Sequence, residues 1–194
     1  LAHNTIVIFM TDNGSWGGVD VDDQGFVVNG YNGGMRGRKG SEYDGGHRVP
    51  FFLHWPEGGF TEGRDITQIT ANVDVLPTLI ELCALDEGLE GQESLNFDGR
   101  SLVPLLRDSD GAAAKNWPDR AIVTDSQRVV YPVKWKQSAV MTNRWRLVNG
   151  TQLYDIKADP EQRNDIAAAH PEELDRLRTA YDEWWAKVSR QYDE

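Results

Sequence analysis

The stretch TIVIFMTDNG, residues 5–14, decides the predicted fold class. Its first six residues form an unbroken apolar run rich in β-branched side chains, which predicts a strand buried on both faces. Such strands belong to mostly parallel sheets covered by helices, so we expect an α/β protein. Asp12 and Asn13 follow the predicted strand directly, at the sheet edge where open α/β sheets place their binding sites.

The composition of the chain excludes several classes of protein. Its 194 residues carry 20 Lys and Arg against 31 Asp and Glu, a formal net charge of −11. This acidic balance argues against a nucleic-acid partner, which requires a basic surface. No apolar run approaches the roughly 20 residues of a membrane-spanning helix, so no transmembrane segment is expected. Cys83 is the single cysteine, so neither a disulfide framework nor a cysteine-based zinc site is expected.

The rest of the first half predicts one more strand and one helix. Residues 48–55 form a second apolar run that reads as a buried strand. Residues 74–83 predict a helix, with Cys83 packed on its apolar face. A polar, alanine-rich stretch follows, and we predict a domain boundary that separates residues 1–110 from residues 111–194.

The second predicted unit is a small antiparallel sheet with a C-terminal helix. The helix is predicted from Pro171 to Val188, with proline in its first turn and one apolar stripe along its length. The strands are recognised by short apolar runs at hairpin spacing. They are predicted at residues 121–123, 129–130, 138–141, 145–148 and 152–154.

Two segments carry candidate chemistry. Asp12 and Asn13 place a carboxylate and an amide oxygen side by side, a ligand pair for a hard cation such as calcium or magnesium. The same residue types also form ordinary turns. Residues 33–48 are rich in glycine and hold four Lys or Arg against two Asp or Glu. That segment is either a binding site for a small anion or a mobile basic loop.

The order of several motifs resembles the C-terminal half of the type I, formylglycine-dependent sulfatases (arylsulfatases), members of the alkaline phosphatase-like superfamily. The resemblance extends from about Asn4 to Val188, nearly the whole chain. The motifs are DNG at residues 12–14, RGRKG at 36–40, YDGGHRVP at 43–50, WP at 55–56, DVLPTL at 74–79, DGRSL at 98–102, WRL at 145–147 and LYD at 153–155.

This resemblance implies a fold, an activity and site residues. The implied fold is the later part of an alkaline phosphatase-like α/β core, followed by a four-stranded sheet with a C-terminal helix. The implied activity is sulfuric ester hydrolysis with Ca²⁺, or Mg²⁺, holding the sulfate oxygens. Asp12 and Asn13 match two metal ligands of the family, and Lys39 matches its catalytic, sulfate-contacting lysine. His47, close to Lys39 in the sequence, is a candidate for substrate binding or a structural residue.

The resemblance also implies a nucleophile that this sequence does not contain. In the family it is a formylglycine made from the Cys or Ser of a Cys/Ser-x-Pro/Ala-x-Arg motif, and no such motif occurs here. We therefore expect it upstream of Leu1, in an N-terminal half that this chain needs, and expect the chain alone to be inactive. The implied ligand is a sulfated small molecule or a sulfated glycan. The family's enzymes are periplasmic, secreted or lysosomal.

Two other functions stay open. One is a phosphonate or phosphodiester hydrolase on the same scaffold, although Asn13 disfavours its zinc-dependent members, which carry histidine at this position. The other is a non-catalytic half-domain that binds a glycan or a protein partner. The basic and aromatic residues from Gln127 to Lys136 either bind an anionic glycan or form an exposed, solvated face.

Overall fold

The computed structural model describes residues 1–85 and 96–190. Among the helices it describes, none is both long and apolar enough to cross a lipid bilayer. The strands are β1 (Val7–Met10), β2 (Val19–Val21), β3 (Val27–Gly30), β4 (Phe51–His54), β5 (Ile122–Asp125), β6 (Ser138–Met141), β7 (Trp145–Val148) and β8 (Gln152–Asp155). The α-helices are α1 (Asp44–His47), α2 (Val75–Leu82), α3 (Val103–Leu106), α4 (Ala112–Asn116) and α5 (Pro171–Ser189). Short 3₁₀ helices lie at Ala2–Asn4, Asn72–Asp74 and Ala167–Ala169.

The two apolar runs of the first half do form strands, but their pairing differs from the prediction. β1 and β4 pair antiparallel, with Val7 opposite His54. Every strand pair within the described ranges is antiparallel, so the predicted parallel sheet is not confirmed. The prediction that β1 is buried on both faces is wrong for these residues, since Val7 and Phe9 are 54% and 58% exposed. Within the described residues β4 is the sole strand paired with β1, so the two form a two-stranded sheet.

A hairpin lies between the DNG motif and the glycine-rich, basic segment of residues 33–48, which we call the basic loop. The sequence analysis predicted no strand there. β2 and β3 pair antiparallel, with Val19 opposite Gly30. The turn between them is closed by the Asp22 carboxylate, which accepts hydrogen bonds from the main-chain N–H groups of Gln24 and Phe26, each at 2.9 Å. The hairpin buries Val19 and brings the chain back toward the carboxyl end of β1.

The second half is a four-stranded antiparallel sheet in the order β5-β6-β7-β8, with α5 packed against it. This confirms the small sheet and C-terminal helix expected from the sequence. Tyr181 of α5 is completely buried, and its ring stacks on Trp135 at a centroid distance of 3.7 Å. The buried core between helix and sheet consists of Val140, Trp145, Leu147, Leu153, Leu177 and Tyr181.

Two local predictions are wrong. Val129 and Val130 do not form a strand; they lie exposed in the connection between β5 and β6. Cys83 is not packed in the core but exposed; it lies just beyond Leu82, the last residue of α2. The buried face of α2 is instead formed by Pro77, Thr78 and Leu82.

Buried ion pairs connect the two predicted units. Arg146 of β7 donates to the Asp44 carboxylate of α1 at 2.8 Å. Arg120, just before β5, donates to the buried Asp74 carboxylate, which also accepts the Arg100 main-chain N–H at 2.9 Å. These contacts hold loops of the first half against the second half of the chain. The division into domains at residues 1–110 and 111–194 stays a prediction.

Candidate active site

Asp12 and Asn13 lie in the turn that follows β1. The Asn13 side-chain amide donates to Asp12 Oδ1 at 2.9 Å, so the two polar side chains are in contact. The Thr11 hydroxyl donates to the Asn13 main-chain oxygen at 3.1 Å and tightens the turn. The Asp12 and Asn13 side chains therefore lie together just after β1, and their role as metal ligands stays a prediction.

The glycines of the DNG and DGG motifs allow α1 to contact this turn. Gly14 N–H donates to the Gly46 main-chain oxygen at 3.0 Å. A Cβ atom on Gly14 would lie only 1.8 Å from the Gly45 main-chain oxygen. Because any side chain there would force the backbones apart, glycine is required for the approach. This contact brings His47, at the end of α1, close to the Asp12–Asn13 turn.

Lys39 lies in the basic loop, and that loop is fixed to the same turn. The Lys39 main-chain N–H donates to the Ser15 main-chain oxygen at 2.9 Å. Its ammonium has no ion-pair or hydrogen-bond partner within the described part of the chain. Lys39 is therefore positioned through its backbone while its charge stays available for a ligand.

The two arginines beside Lys39 are held by the protein itself. Arg36 Nη1 donates to the Tyr154 hydroxyl at 3.1 Å and to the Gln162 main-chain oxygen at 3.0 Å. Arg38 Nη1 donates to the main-chain oxygen of Val19 at 3.1 Å. Both guanidinium groups thus attach the basic loop to its surroundings.

Below the loop lies a buried charge network centred on Asp44. Asp44 is fully buried, and Arg146, which is 6% exposed, donates to it from Nε at 2.8 Å. His47 Nε2 lies 3.7 Å from Asp44 Oδ1, which is beyond hydrogen-bond distance. Burial by itself raises the pKa of Asp44, but His47 and Arg146 oppose it more strongly, and the pKa falls from its ordinary 3.8 to about 2. Asp44 is therefore ionised at neutral pH and fixes α1 to β7.

The four site residues predicted from the sequence line one open cavity of about 270 Å³. Asp12 and Asn13 come from the end of β1, Lys39 from the basic loop and His47 from α1. Neither ring nitrogen of His47 has a hydrogen-bond partner within the described residues. A hard-ligand pair, a lysine and an imidazole therefore surround a space large enough for an oxyanion.

The opposite wall of this cavity comes from the second half of the chain. It consists of the end of β5 and the residues that follow, namely Thr124, Asp125, Ser126, Gln127 and Arg128. The sequence analysis considered Gln127 and Arg128 as possible glycan contacts but missed the first three. No signal in the sequence identifies them, because they become neighbours of Lys39 only through the packing of the sheet on the loop. The Ser126 hydroxyl, for example, donates to the Gly40 main-chain oxygen at 3.1 Å.

A second cavity, of about 230 Å³, lies near α3 and α4 and contains none of the predicted site residues. Its one cation, Arg64, donates to the main-chain oxygens of Leu105, Leu106 and Asp108. This guanidinium is already used in joining segments of the protein. The cavity at Lys39 is therefore the better candidate for chemistry.

Asp12 and Asn13 suit a hard cation in ligand type but supply only part of a coordination shell. Both offer oxygen atoms, which Ca²⁺ and Mg²⁺ prefer, and calcium takes about six to eight such ligands. Within the described ranges no group of three or more His, Cys, Asp or Glu side chains is placed to hold a metal ion. Any bound cation would therefore take its remaining ligands from water, from a substrate or from residues outside the described part of the chain.

Comparison with known proteins identifies the family. The family model described as N-sulphoglucosamine sulphohydrolase, C-terminal, matches residues 38–180, more than half of the chain. The chain belongs to this sulfatase family. The matched range includes Lys39 and His47, and extends through the four-stranded sheet into α5.

Individual sulfatases are similar over parts of their length. Steryl-sulfatase of Mus musculus is 37% identical over 107 residues, which cover 55% of this chain and 16% of that protein. N-acetylgalactosamine-6-O-sulfatase of Bacteroides thetaiotaomicron is 29% identical over 191 residues, 91% of this chain and 35% of that protein. The crystal structure of Ps i-CgsB in complex with k-i-k-neocarrahexaose has a TM-score of 0.67 at 25% identity, covering 94% of this chain and 37% of that one. The chain spans about a third or less of the length of the relatives it matches.

Proposed function

We propose that this chain supplies the cation-binding and sulfate-binding part of a sulfuric ester hydrolase. The observation that carries the proposal is the cavity at Lys39. Asp12, Asn13, Lys39 and His47 are separated by up to 35 positions in the sequence, yet they line one space. Membership of the sulfatase family supports the reaction class.

Asp12 and Asn13 are the residues that would hold a divalent cation, Ca²⁺ or Mg²⁺. A bound cation would polarise the sulfate group and offset the negative charge that develops on its oxygens. The role of this chain is to hold two oxygen ligands ready at the end of β1. The contact of Gly14 with α1 keeps that turn in place.

Lys39 would bind the sulfate group directly. Its ammonium is a compact positive charge that stabilises an oxyanion wherever one oxygen approaches. Because Arg36 and Arg38 are engaged by main-chain oxygens, Lys39 is the cation of this motif that can contact a substrate. His47 would contact the substrate from α1, which the Gly14–Gly46 main-chain hydrogen bond holds against the Asp12–Asn13 turn.

The nucleophile would be supplied by residues other than those of this chain. Cys83 is exposed at the end of α2 and is followed by Ala84 and Leu85. It is therefore not part of the Cys/Ser-x-Pro/Ala-x-Arg motif from which type I sulfatases form their formylglycine. On this proposal the chain binds and orients a sulfate ester, but without an upstream N-terminal half it does not cleave one.

The proposed substrate class is a sulfated glycan, with a sulfated small molecule as the second candidate. N-acetylgalactosamine-6-O-sulfatase, by its name, acts on a sugar sulfate, and the alignment with it spans 91% of this chain. The Ps i-CgsB structure was determined with an oligosaccharide. Steryl-sulfatase, by its name, acts on a small sulfate ester, and its alignment covers 55% of this chain.

The proposal is tested by turnover of an aryl sulfate by the protein as its source gene encodes it. Lys39→Ala and Asp12→Ala are each expected to lower kcat by about 10²–10³-fold, the usual loss when one charge-stabilising group is removed. Lys136→Ala, an exposed lysine outside the cavity, is the matched control and is expected to keep normal turnover. Unchanged turnover in the Lys39→Ala variant would contradict the role assigned to Lys39. A higher kcat/KM on a phosphodiester than on the sulfate would favour the phosphoester alternative.

A further inference from the structure

The connection between β5 and β6 forms part of the cavity rim. We call residues 126–137 the rim hairpin. It contains Arg128, Lys134 and Lys136 and no Asp or Glu, so it carries a formal charge of +3 in a chain of −11. Its first three residues line the cavity that contains Lys39.

The base of the rim hairpin is held rigidly. Ser126 N–H donates to the Gln137 main-chain oxygen at 3.0 Å. The Gln127 side chain crosses the hairpin, accepting the Val133 N–H at 2.8 Å and donating to the Val133 main-chain oxygen at 3.0 Å. Since Ser126 also contacts Gly40, the hairpin base is fixed relative to Lys39. A ligand that contacts both would meet a preorganised surface.

Arg128 is the cation of the rim hairpin that is both at the cavity and unpaired. Lys134 forms an ion pair with Asp182 at 2.8 Å, on the side of the hairpin that faces α5. Arg128 lines the cavity, is exposed, and has no hydrogen-bond, ion-pair or aromatic partner within residues 1–85 and 96–190. By contrast, Arg36, Arg38 and Arg146 all donate to protein oxygens.

Next to Arg128 the hairpin exposes apolar surface. Val130 and Tyr131 are 77% and 79% exposed. Tyr131 lies three positions from Arg128 in the same hairpin. A guanidinium and an exposed aromatic ring on one hairpin suit a sugar that carries an anionic group, because a ring face packs against C–H groups while the fork binds two oxygens. The same surface offers little to a small ester with a single charge.

We propose that Arg128 forms a second anion subsite, for a sulfate or carboxylate on a sugar adjacent to the one whose sulfate is held by Lys39. The ligand is then a multiply charged oligosaccharide. This inference rests on the proposed function, since it takes the Lys39 site as the place where the reacting sulfate binds.

The test compares affinities for defined disaccharides. Three ligands are titrated by calorimetry into the protein as its source gene encodes it, and their sulfate content is checked afterwards. One carries a single sulfate, one carries a sulfate on each ring, and one carries a sulfate on one ring and a carboxylate on the other. The measured quantity is the preference, defined as the Kd for the singly charged ligand divided by the Kd for a doubly charged ligand.

Arg128→Ala is expected to reduce this preference by about 10-fold to 100-fold, because a hydrogen-bonded charge pair is lost. Arg128→Lys should restore part of it, since lysine keeps the charge but not the fork. Lys136→Ala, in the same hairpin, should not change it. The ligand whose preference falls more identifies the second group as sulfate or as carboxylate.

An unchanged preference in the Arg128→Ala variant overturns the second subsite. Lys39→Ala separates this failure from failure of the proposed function, since it should weaken all three ligands. If Lys39→Ala weakens binding and Arg128→Ala leaves the preference unchanged, the Lys39 site stands and the subsite does not. If Lys39→Ala has no effect on any ligand, the proposed function itself is contradicted and the subsite, which rests on it, is withdrawn with it.

Discussion

The Asp44–Arg146 pair makes the sharpest prediction about stability. Asp44→Asn removes a carboxylate that is fully buried and leaves the buried Arg146 guanidinium without its counter-charge. Breaking a buried pair at one partner costs about 3–5 kcal/mol, because an uncompensated charge stays out of water. With a typical urea dependence of about 2 kcal/mol per molar, the unfolding midpoint should fall by about 2 M.

A surface pair of equal length provides the control. Lys134 and Asp182 also lie 2.8 Å apart, but both side chains are largely in solvent. Asp182→Asn should therefore change the free energy of unfolding by about 0–1 kcal/mol. The assay is urea unfolding followed by tryptophan fluorescence, for which the chain has seven tryptophans. The two variants differ in burial and not in pair distance.

The outcome that refutes this reasoning is a similar loss in both variants. A loss of less than about 1 kcal/mol for Asp44→Asn would mean that the pair contributes little more than an exposed one. A double variant, Asp44→Asn with Arg146→Met, adds a second check. It should be less destabilised than the sum of the two single variants, because it removes the unpaired charge as well.

Three further outcomes are expected. The pKa of Asp44 is lowered from 3.8 to about 2, so its ionised form stabilises the fold by about 2 kcal/mol above pH 4. Unfolding titrations at falling pH should show that this contribution is lost between pH 4 and pH 2. The Asp44→Asn variant should not show this loss. Gly14→Ala should lower the calcium affinity measured by calorimetry at least about 10-fold. The added Cβ would lie 1.8 Å from the Gly45 main-chain oxygen and would displace the Asp12–Asn13 turn. A calcium affinity equal to that of the wild type would contradict this prediction. Leu177→Ala, at a completely buried position of α5, should cost about 2–5 kcal/mol in urea unfolding, and a cost below 1 kcal/mol would mean that α5 is not part of the core.

The elements that the sequence predicted well are those specified by local pattern. α5 has a proline in its first turn and a continuous apolar stripe, and its bounds differ from the prediction by one residue. The strands β6, β7 and β8 are short runs between turn residues, so their hairpin spacing is visible in the sequence alone. The same holds for the Asp12–Asn13 turn, since it immediately follows an apolar run.

The elements that the sequence did not predict depend on contacts between distant residues. Val129 and Val130 have strand-like composition, yet they sit at the tip of a hairpin whose base is closed by Gln127. β2 and β3 are weakly apolar, and their turn is stabilised by the Asp22 carboxylate. Such stabilisation comes from side-chain to main-chain bonds that composition does not reveal.

The candidate site also combines features visible in the local sequence with features that depend on contacts between distant residues. Its four predicted residues were identified by residue type, motif order and resemblance, while the wall formed by β5 was not. Asp44 and Arg146 are 102 positions apart, and no local pattern links them. The sequence therefore indicated four residues that line one cavity, whereas the packing that fixes the shape of that cavity required the structure.

On the proposed function, Asp12, Asn13 and Lys39 together bind a cation and a sulfate group. The most direct measurement is a crystal structure of the protein, as its source gene encodes it, grown with calcium and a sulfated oligosaccharide. We expect a calcium ion about 2.3–2.6 Å from oxygens of Asp12 and Asn13, with a sulfate oxygen within hydrogen-bond distance of Lys39 Nζ. An ion bound elsewhere, or a sulfate group that does not contact Lys39, would contradict it.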